Sequence, residues 1–134
     1  MFTFLETSTI FAMGTENIDC GRLERRFRTI LSEEVLEFLK KQDVKARQKI
    51  LFNIRKAEVV TDPELFKKLT EDIWEFRTLW KKSRYRLLAF WDRDEETVVV
   101  VVCGFIKKQH KVPLKELEKA VSMRSEYLRN KKQK

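Results

Sequence analysis

Two arginines lie in the middle of stretches whose residue patterns predict β-strands. Arg77 falls within the alternating run Ile73–Trp80, and Arg86 falls within the run Tyr85–Asp92. A purely structural strand favours Thr, Val or aromatic residues at such positions. If the two strands pair through the turn between them, the arginines can share one face of the sheet. A cluster of like charges costs stability unless an anion occupies it, so the pattern predicts a site for an anionic group.

Other basic residues are concentrated near these arginines in the sequence. The segment 77–86 holds five Lys or Arg and no acidic residue, and the segment 104–134 holds ten basic and three acidic residues. Trp80, Tyr85 and Phe105 lie among these cations. Guanidinium groups bind phosphate and rings stack on unpaired bases, so the mixture suits a ribonucleotide chain, although the rings could instead fill the core. The candidate RNA-binding residues are Lys81, Lys82, Arg84, His110 and Lys111.

Composition limits the classes of function. A chain of 134 residues predicts one domain, and a net charge of +8 favours a nucleic acid over an acidic protein or a membrane surface as partner. Cys20 and Cys103 are far apart and His110 is the single histidine, so neither a disulfide framework nor a metal site is expected. No segment has the roughly 18 apolar residues of a spanning helix. The expected location is the cytoplasm.

The elements that would position the basic residues begin with a strand and two helices. Residues 1–25 show no sustained period and predict an irregular extension, so that 26–134 form the single domain. The run Leu23–Leu31 predicts a strand. Ser32 and Asp43 are typical helix N-caps and predict helices from residue 33 to 41 and from residue 43 onward. The short joint between the helices predicts a hairpin laid over one face of a sheet.

The second half predicts a meander of strands and a last helix. Residues 64–69 follow Pro63 and predict a turn or short helix, after which the period becomes two in 73–80 and 85–92. Residues 92–96 predict a polar turn. Five consecutive valines in 97–103 indicate a central strand buried on both faces, and Pro113 opens the final helix. The whole pattern predicts an α+β fold, with an antiparallel sheet of about four strands and the helices on one face.

Three segments carry a resemblance to a known family: Trp74-Glu75-Phe76-Arg77, Tyr85-Arg86-Leu87 and the stretch Gly104–Pro113. Together they resemble the phage-derived HigB-like branch of the RelE/ParE toxin superfamily. The F-x-K-K-x-x-K-x-P pattern, which follows the valine-rich strand and opens a helix, is its most specific part. The resemblance covers roughly residues 26–128, and it implies a RelE-like fold.

The resemblance also implies an activity. The protein is expected to be the toxin of a type II toxin–antitoxin system, which enters the ribosomal A site and cuts messenger RNA. The 2′-hydroxyl of the RNA attacks the adjacent phosphorus, without metal or cofactor. A cognate antitoxin with a helix-turn-helix is the expected protein partner. The alternatives are a non-catalytic module that binds RNA or an acidic protein, and a gyrase-directed toxin of the ParE type.

Catalytic roles follow from the same resemblance. Arg86 and Lys108 are expected to stabilise the pentacoordinate phosphate, and Lys107 or Arg77 to hold the flanking phosphate. The general acid and base stay open. A lysine could serve if neighbouring cations lower its pKa, and His110 is the only side chain that ordinarily titrates near neutrality.

Overall fold

The computed structural model describes residues 4–6, 25–94 and 97–132. The described residues contain six strands and three helices, which confirms the α+β class. In chain order they are β1 (Phe4–Glu6), β2 (Arg28–Ser32), α1 (Glu33–Lys40), α2 (Val44–Val59), β3 (Phe66–Lys68), β4 (Trp74–Trp80), β5 (Ser83–Asp92), β6 (Val98–Lys107) and α3 (Leu114–Lys132).

The strands form one open sheet in the order β1-β2-β6-β5-β4-β3. Neighbouring strands are antiparallel except β2 and β6, which run parallel. The prediction of an antiparallel sheet of about four strands is therefore wrong in strand number and in one pairing. The two extra strands lie at the sheet edges and have three residues each, too few for an alternating pattern to show in the sequence.

Both extra strands lie where the sequence predicts something else. β1 falls within the segment 1–25 that is predicted to be irregular, and it pairs with β2. The ring of Phe4 packs edge-on to Tyr127 of α3, with centroids 5.6 Å apart. Residues 1–3 and 7–24, which include Cys20, lie outside the described residues. β3 replaces part of the turn or helix predicted for 64–69.

The two predicted N-caps are confirmed. The Ser32 hydroxyl accepts a hydrogen bond from the backbone N–H of Val35 at 3.3 Å, and the Asp43 carboxylate accepts one from Lys45 at 3.2 Å. Each cap satisfies a donor that the first turn of its helix leaves unbonded. The caps therefore fix where the helical hairpin begins relative to the sheet.

The helices pack on both faces of the sheet. α1 and α2 bury Val35, Ile50 and Ile54 on one face, whereas α3 places Ala120 and Leu117 against the other. The prediction that all helices lie on one face is wrong for α3. The valine-rich strand itself contains the reason: a strand that is apolar on both faces needs cover on both, and Val98–Val102 are all buried. Within the described part of the chain, no helix has both the length and the apolar character that crossing a bilayer requires.

Candidate functional site

Strand register brings the basic residues of the meander together. In the antiparallel pair β4–β5, Arg77 lies directly opposite Arg86. In the next pair, Arg84 lies opposite Lys107 at the end of β6. Because successive side chains of a strand alternate between faces, these four residues share one face of the sheet. It is the face that α3 covers further along the strands.

These cations line a cleft of about 600 Å³. Lys49 and Lys56 belong to α2, which packs on the opposite face of the sheet, and they line the cleft around the edge of β4, whose pairing with β3 ends at Phe76. A buried hydrogen bond of 3.1 Å from Asn53 to Thr78 holds that helix against β4. The lining contains six Lys or Arg residues and one carboxylate. Its residues are Lys49, Asn53, Lys56, Glu64, Leu65, Arg77, Thr78, Leu79, Arg84, Arg86, Lys107 and His110. We call this space the cation cleft.

A buried carboxylate lies beside the arginines. Glu75 is 3% exposed, and its Oε1 is 3.6 Å from Nε of Arg77 and 3.9 Å from Nε of Arg86. Exposed Glu64 lies 3.8 Å from Nη1 of Arg77. All three separations exceed hydrogen-bonding distance, and the Nε atoms of both arginines have no hydrogen-bond partner among the described residues. These Nε atoms are themselves buried, so an oxyanion can reach the pair only through the outer part of the guanidinium groups, and Arg77 is the more exposed of the two.

The electrostatics of the cleft disfavour its own positive charges. Burial lowers the pKa of Arg86, and the nearby charges of Arg77 and Arg84 lower it further, while Glu75 acts in the opposite direction. Burial also lowers the pKa of Lys107, as does the charge of Arg86. Both shifts mean that the cationic forms are held at a cost in free energy. A bound phosphate would offset that cost.

The predicted site residues divide into two groups. Arg77, Arg84, Arg86, Lys107 and His110 line the cation cleft. The others, Lys81, Lys82, Lys108 and Lys111, are exposed and are not among its lining residues. β6 ends at Lys107, so Lys108 no longer follows the alternation of the strand.

The turn between β4 and β5 is conformationally costly. Lys81 and Lys82 have φ angles of +47° and +69°, and Trp80 pairs directly with Ser83, so the turn has two residues. Such turns favour Asn-Gly, because side chains other than Asn, Asp and Gly rarely adopt positive φ. Two lysines at this position are consistent with a role for their charge beyond forming the turn.

Sequence reasoning missed Glu75 as a partner of the arginines and the contributions of α2. Glu75 precedes Arg77 by two residues, so strand alternation placed both on one face. Lys49, Asn53 and Lys56 are spaced four and three residues apart, which puts them on one face of a helix. Both signals were visible in the sequence, but only the tertiary structure shows that side chains from opposite faces of the sheet line one cleft. Among the described residues, no group of three or more His, Cys, Asp or Glu side chains could hold a metal ion.

Comparison with protein families adds a further finding. Residues 37–125, about two thirds of the chain, match the family model of phage derived protein Gp49-like (DUF891). The chain belongs to this family. Gp49-like proteins are associated with RelE-like and other toxin-like proteins, and every residue that lines the cation cleft lies within the matched segment. A comparison with curated proteins finds no match.

Proposed function

We propose that this Gp49-like protein is the toxin of a type II toxin–antitoxin system, of the HigB-like branch, and that it cleaves messenger RNA in the ribosomal A site. The observation that carries the proposal is the cation cleft. Six basic side chains from α2, β4, β5 and β6 converge there, opposed by exposed Glu64 in the lining and buried Glu75 beside it. The cytoplasm and a helix-turn-helix antitoxin belong to the same proposal.

The chemistry needs only the RNA and side chains of the cleft. The 2′-hydroxyl attacks the adjacent phosphorus, the bond to the 5′ oxygen breaks, and the products are a 2′,3′-cyclic phosphate and a 5′-hydroxyl. Arg86 and Lys107 donate to the non-bridging oxygens as negative charge develops on them. Such preorganised donors are worth about 100- to 1,000-fold each in rate. Lys107 takes the place expected for Lys108, because it lines the cleft with Arg86.

The remaining groups of the cleft bind the flanking phosphate, orient the guanidinium groups and transfer protons. Arg77 binds the flanking phosphate, and Glu75, between the two arginines, positions their guanidinium groups. Two groups in the cleft can exchange a proton with the reacting oxygens: His110, at the exposed rim, and Lys107, whose pKa is lowered by burial and by Arg86. Comparing the pH–rate profiles of His110→Ala and Lys107→Ala shows which residue is the general acid or base, because the profile loses the limb that this residue causes.

Expression in cells that lack an antitoxin tests the proposal. We expect growth arrest with rapid loss of full-length transcripts, and relief of both by Arg86→Ala and by Lys107→Ala. Lys115→Ala is the matched control, because Lys115 is exposed on α3 and is not among the lining residues of the cleft. Arrest with intact transcripts and a DNA-damage response would instead indicate a gyrase-directed toxin. Normal growth would indicate a non-catalytic binding module.

A further inference from the structure

A second, smaller cleft adjoins the cation cleft. Its volume is about 280 Å³, and its lining residues are Lys45, Gln48, Lys49, Phe52 and Trp80. Lys49 lines both clefts. A chain molecule with a phosphate in the cation cleft can therefore place its neighbouring unit in this second space, which we call the ring cleft.

The two rings of this cleft do not belong to the cluster of aromatic rings in the core. Phe66, Trp74, Phe76 and Trp91 contact one another in the core, with Phe66 and Phe76 stacked at 4.3 Å between centroids. Among the described residues, neither Phe52 nor Trp80 contacts another aromatic ring. Both rings are partly exposed. Trp80 also packs against the buried core, so the ring surfaces that the cleft offers are Phe52 and the exposed part of Trp80.

Each of these rings has a lysine beside it, as Phe27 and Trp91 of the core each have an arginine. The Nζ of Lys49 lies 5.2 Å from the centroid of Phe52, and the Nζ of Lys81 lies 5.9 Å from that of Trp80. Lys81 is one of the two residues held at positive φ in the β4–β5 turn. Aromatic faces flanked by cations are the arrangement that binds single-stranded nucleic acid, because rings stack on bases while cations contact the backbone.

We propose that the ring cleft stacks one unpaired base of the RNA strand whose phosphate lies in the cation cleft. The inference rests on the proposed function and adds a specificity element to it. Three of the five lining residues are Lys or Gln, so the cleft suits a flat, polar-edged base next to a phosphate better than an apolar peptide side chain. Since stacking is tolerant of base identity, the expected selectivity is a modest preference at one position of the substrate.

An abasic scan tests this inference. The probe is a single-stranded RNA oligonucleotide with one 2′-deoxy nucleotide at the cleavage position, so that it binds without being cut. Variants of the probe carry an abasic nucleotide at each position in turn, and fluorescence anisotropy measures Kd. For the unmodified protein, we expect one abasic position to weaken binding by about 5- to 150-fold, the range that base–aromatic stacking gives.

Ring variants show whether that base lies in the ring cleft. In Trp80→Leu and in Phe52→Leu, the intact probe should bind more weakly, and the same abasic position should cause little further loss. Trp80→Phe keeps a ring and should restore most of the penalty. Val44→Ala is the matched control, because Val44 is an exposed apolar residue of α2 outside both clefts. If a Leu variant does not fold, the proposal is still tested by the abasic scans of the unmodified protein and of Trp80→Phe: both should show the penalty at the same position.

The outcomes separate this inference from the proposed function. If ribosome-bound messenger RNA is cleaved but no abasic position changes Kd, the proposal that the ring cleft stacks a base is wrong and the proposed nuclease activity still stands. An abasic penalty that persists in Trp80→Leu and Phe52→Leu overturns it as well, because the base then stacks elsewhere. Intact transcripts and no binding of the probe overturn both proposals together.

Discussion

The two halves of β5 differ in how closely their buried charged side chains are paired with opposite charges. Asp92 and Arg86 lie on the same face of this strand, six residues apart. At one end, Asp92 accepts a hydrogen bond of 2.7 Å from the Tyr127 hydroxyl and another of 2.7 Å from Lys131, both on α3. At the other end, the nearest carboxylate oxygen to Nε of Arg86 is 3.9 Å away, and Arg86 donates instead to its neighbour's backbone carbonyl.

The pKa shifts express the same contrast. Burial would raise the pKa of Asp92, but the hydrogen bonds from Lys131 and Tyr127 together bring that pKa below its ordinary value, so the fold favours the charged carboxylate. The pKa of Arg86 is also lowered, chiefly by burial, so the fold disfavours the charged guanidinium. The charge of Asp92 is fully paired within the protein, whereas the charge of Arg86 is only partly compensated, so a bound anion would stabilise it. We therefore expect mutations at the two ends to separate stability from activity.

The largest expected effect is at the arginine end. Arg86→Ala should lower the single-turnover rate of cleavage of ribosome-bound messenger RNA by about 100- to 1,000-fold, because it removes a donor to the developing charge on the phosphate. Arg86→Lys should recover only part of this rate, since an ammonium group lacks the forked geometry of guanidinium. A rate unchanged in Arg86→Ala would show that the cleft is not the catalytic site.

At the other end, Asp92→Asn should affect stability and leave the chemistry intact. Hydrogen bonds to a charged group contribute about 1.5 to 3 kcal/mol, so we expect the free energy of unfolding to fall by about 2 kcal/mol. Urea unfolding measures the loss, and the Kd for RNA is the control. A weakened Kd with unchanged stability would reverse the roles assigned to the two ends.

Mutations in the β4–β5 turn, next to Arg86 in the sheet, should raise the stability of the protein and weaken RNA binding. Replacing Lys81 by Asn together with Lys82 by Gly should raise the free energy of unfolding by about 1 kcal/mol or more, because these residues adopt positive φ at less cost. If both lysines contact phosphates, the salt dependence of RNA binding should weaken by about 1.4 in the slope of log K against log salt. An unchanged slope would exclude both lysines from the RNA interface.

The smallest expected effect is on the pH dependence of stability. Because the pKa of Asp92 is lower in the folded state than its ordinary value of 3.8, the charged carboxylate contributes stability above that value, and the contribution is lost as the pH falls through the folded pKa. Urea unfolding in the acid range should therefore show a shallower loss in Asp92→Asn. Identical acid profiles would mean that Asp92 gains nothing from its partners in α3.

Local signals made much of this fold predictable. Ser32 and Asp43 begin helices because their side chains cap them, and Val98–Val102 form an interior strand because a run of valines has no polar face. The three-residue strands β1 and β3 could not be predicted in this way, since they exist only through pairing with β2 and β4. The same holds for the parallel pairing of β2 with β6.

The candidate site was predictable where the sequence broke a local pattern. Arg77 and Arg86 stood out because each occupies the middle of an otherwise conventional strand. Lys49 and Lys56 fit an ordinary exposed helix face, and only the packing of α2 against β4 brings them to the cleft. For Lys107 and Lys108 the position where the strand ends decides which one lines the cleft, and the ends of such elements are poorly encoded in a single sequence.

The position of β6 has a consequence for biosynthesis. Of the six described strands this one is the last along the chain, yet it lies between β2 and β5, so a chain without it would have a sheet in two separate pieces. Arg84 and Arg86 would lack their neighbour, and Lys107 would be missing. A nascent polypeptide therefore cannot assemble the cation cleft until β6 has left the ribosome.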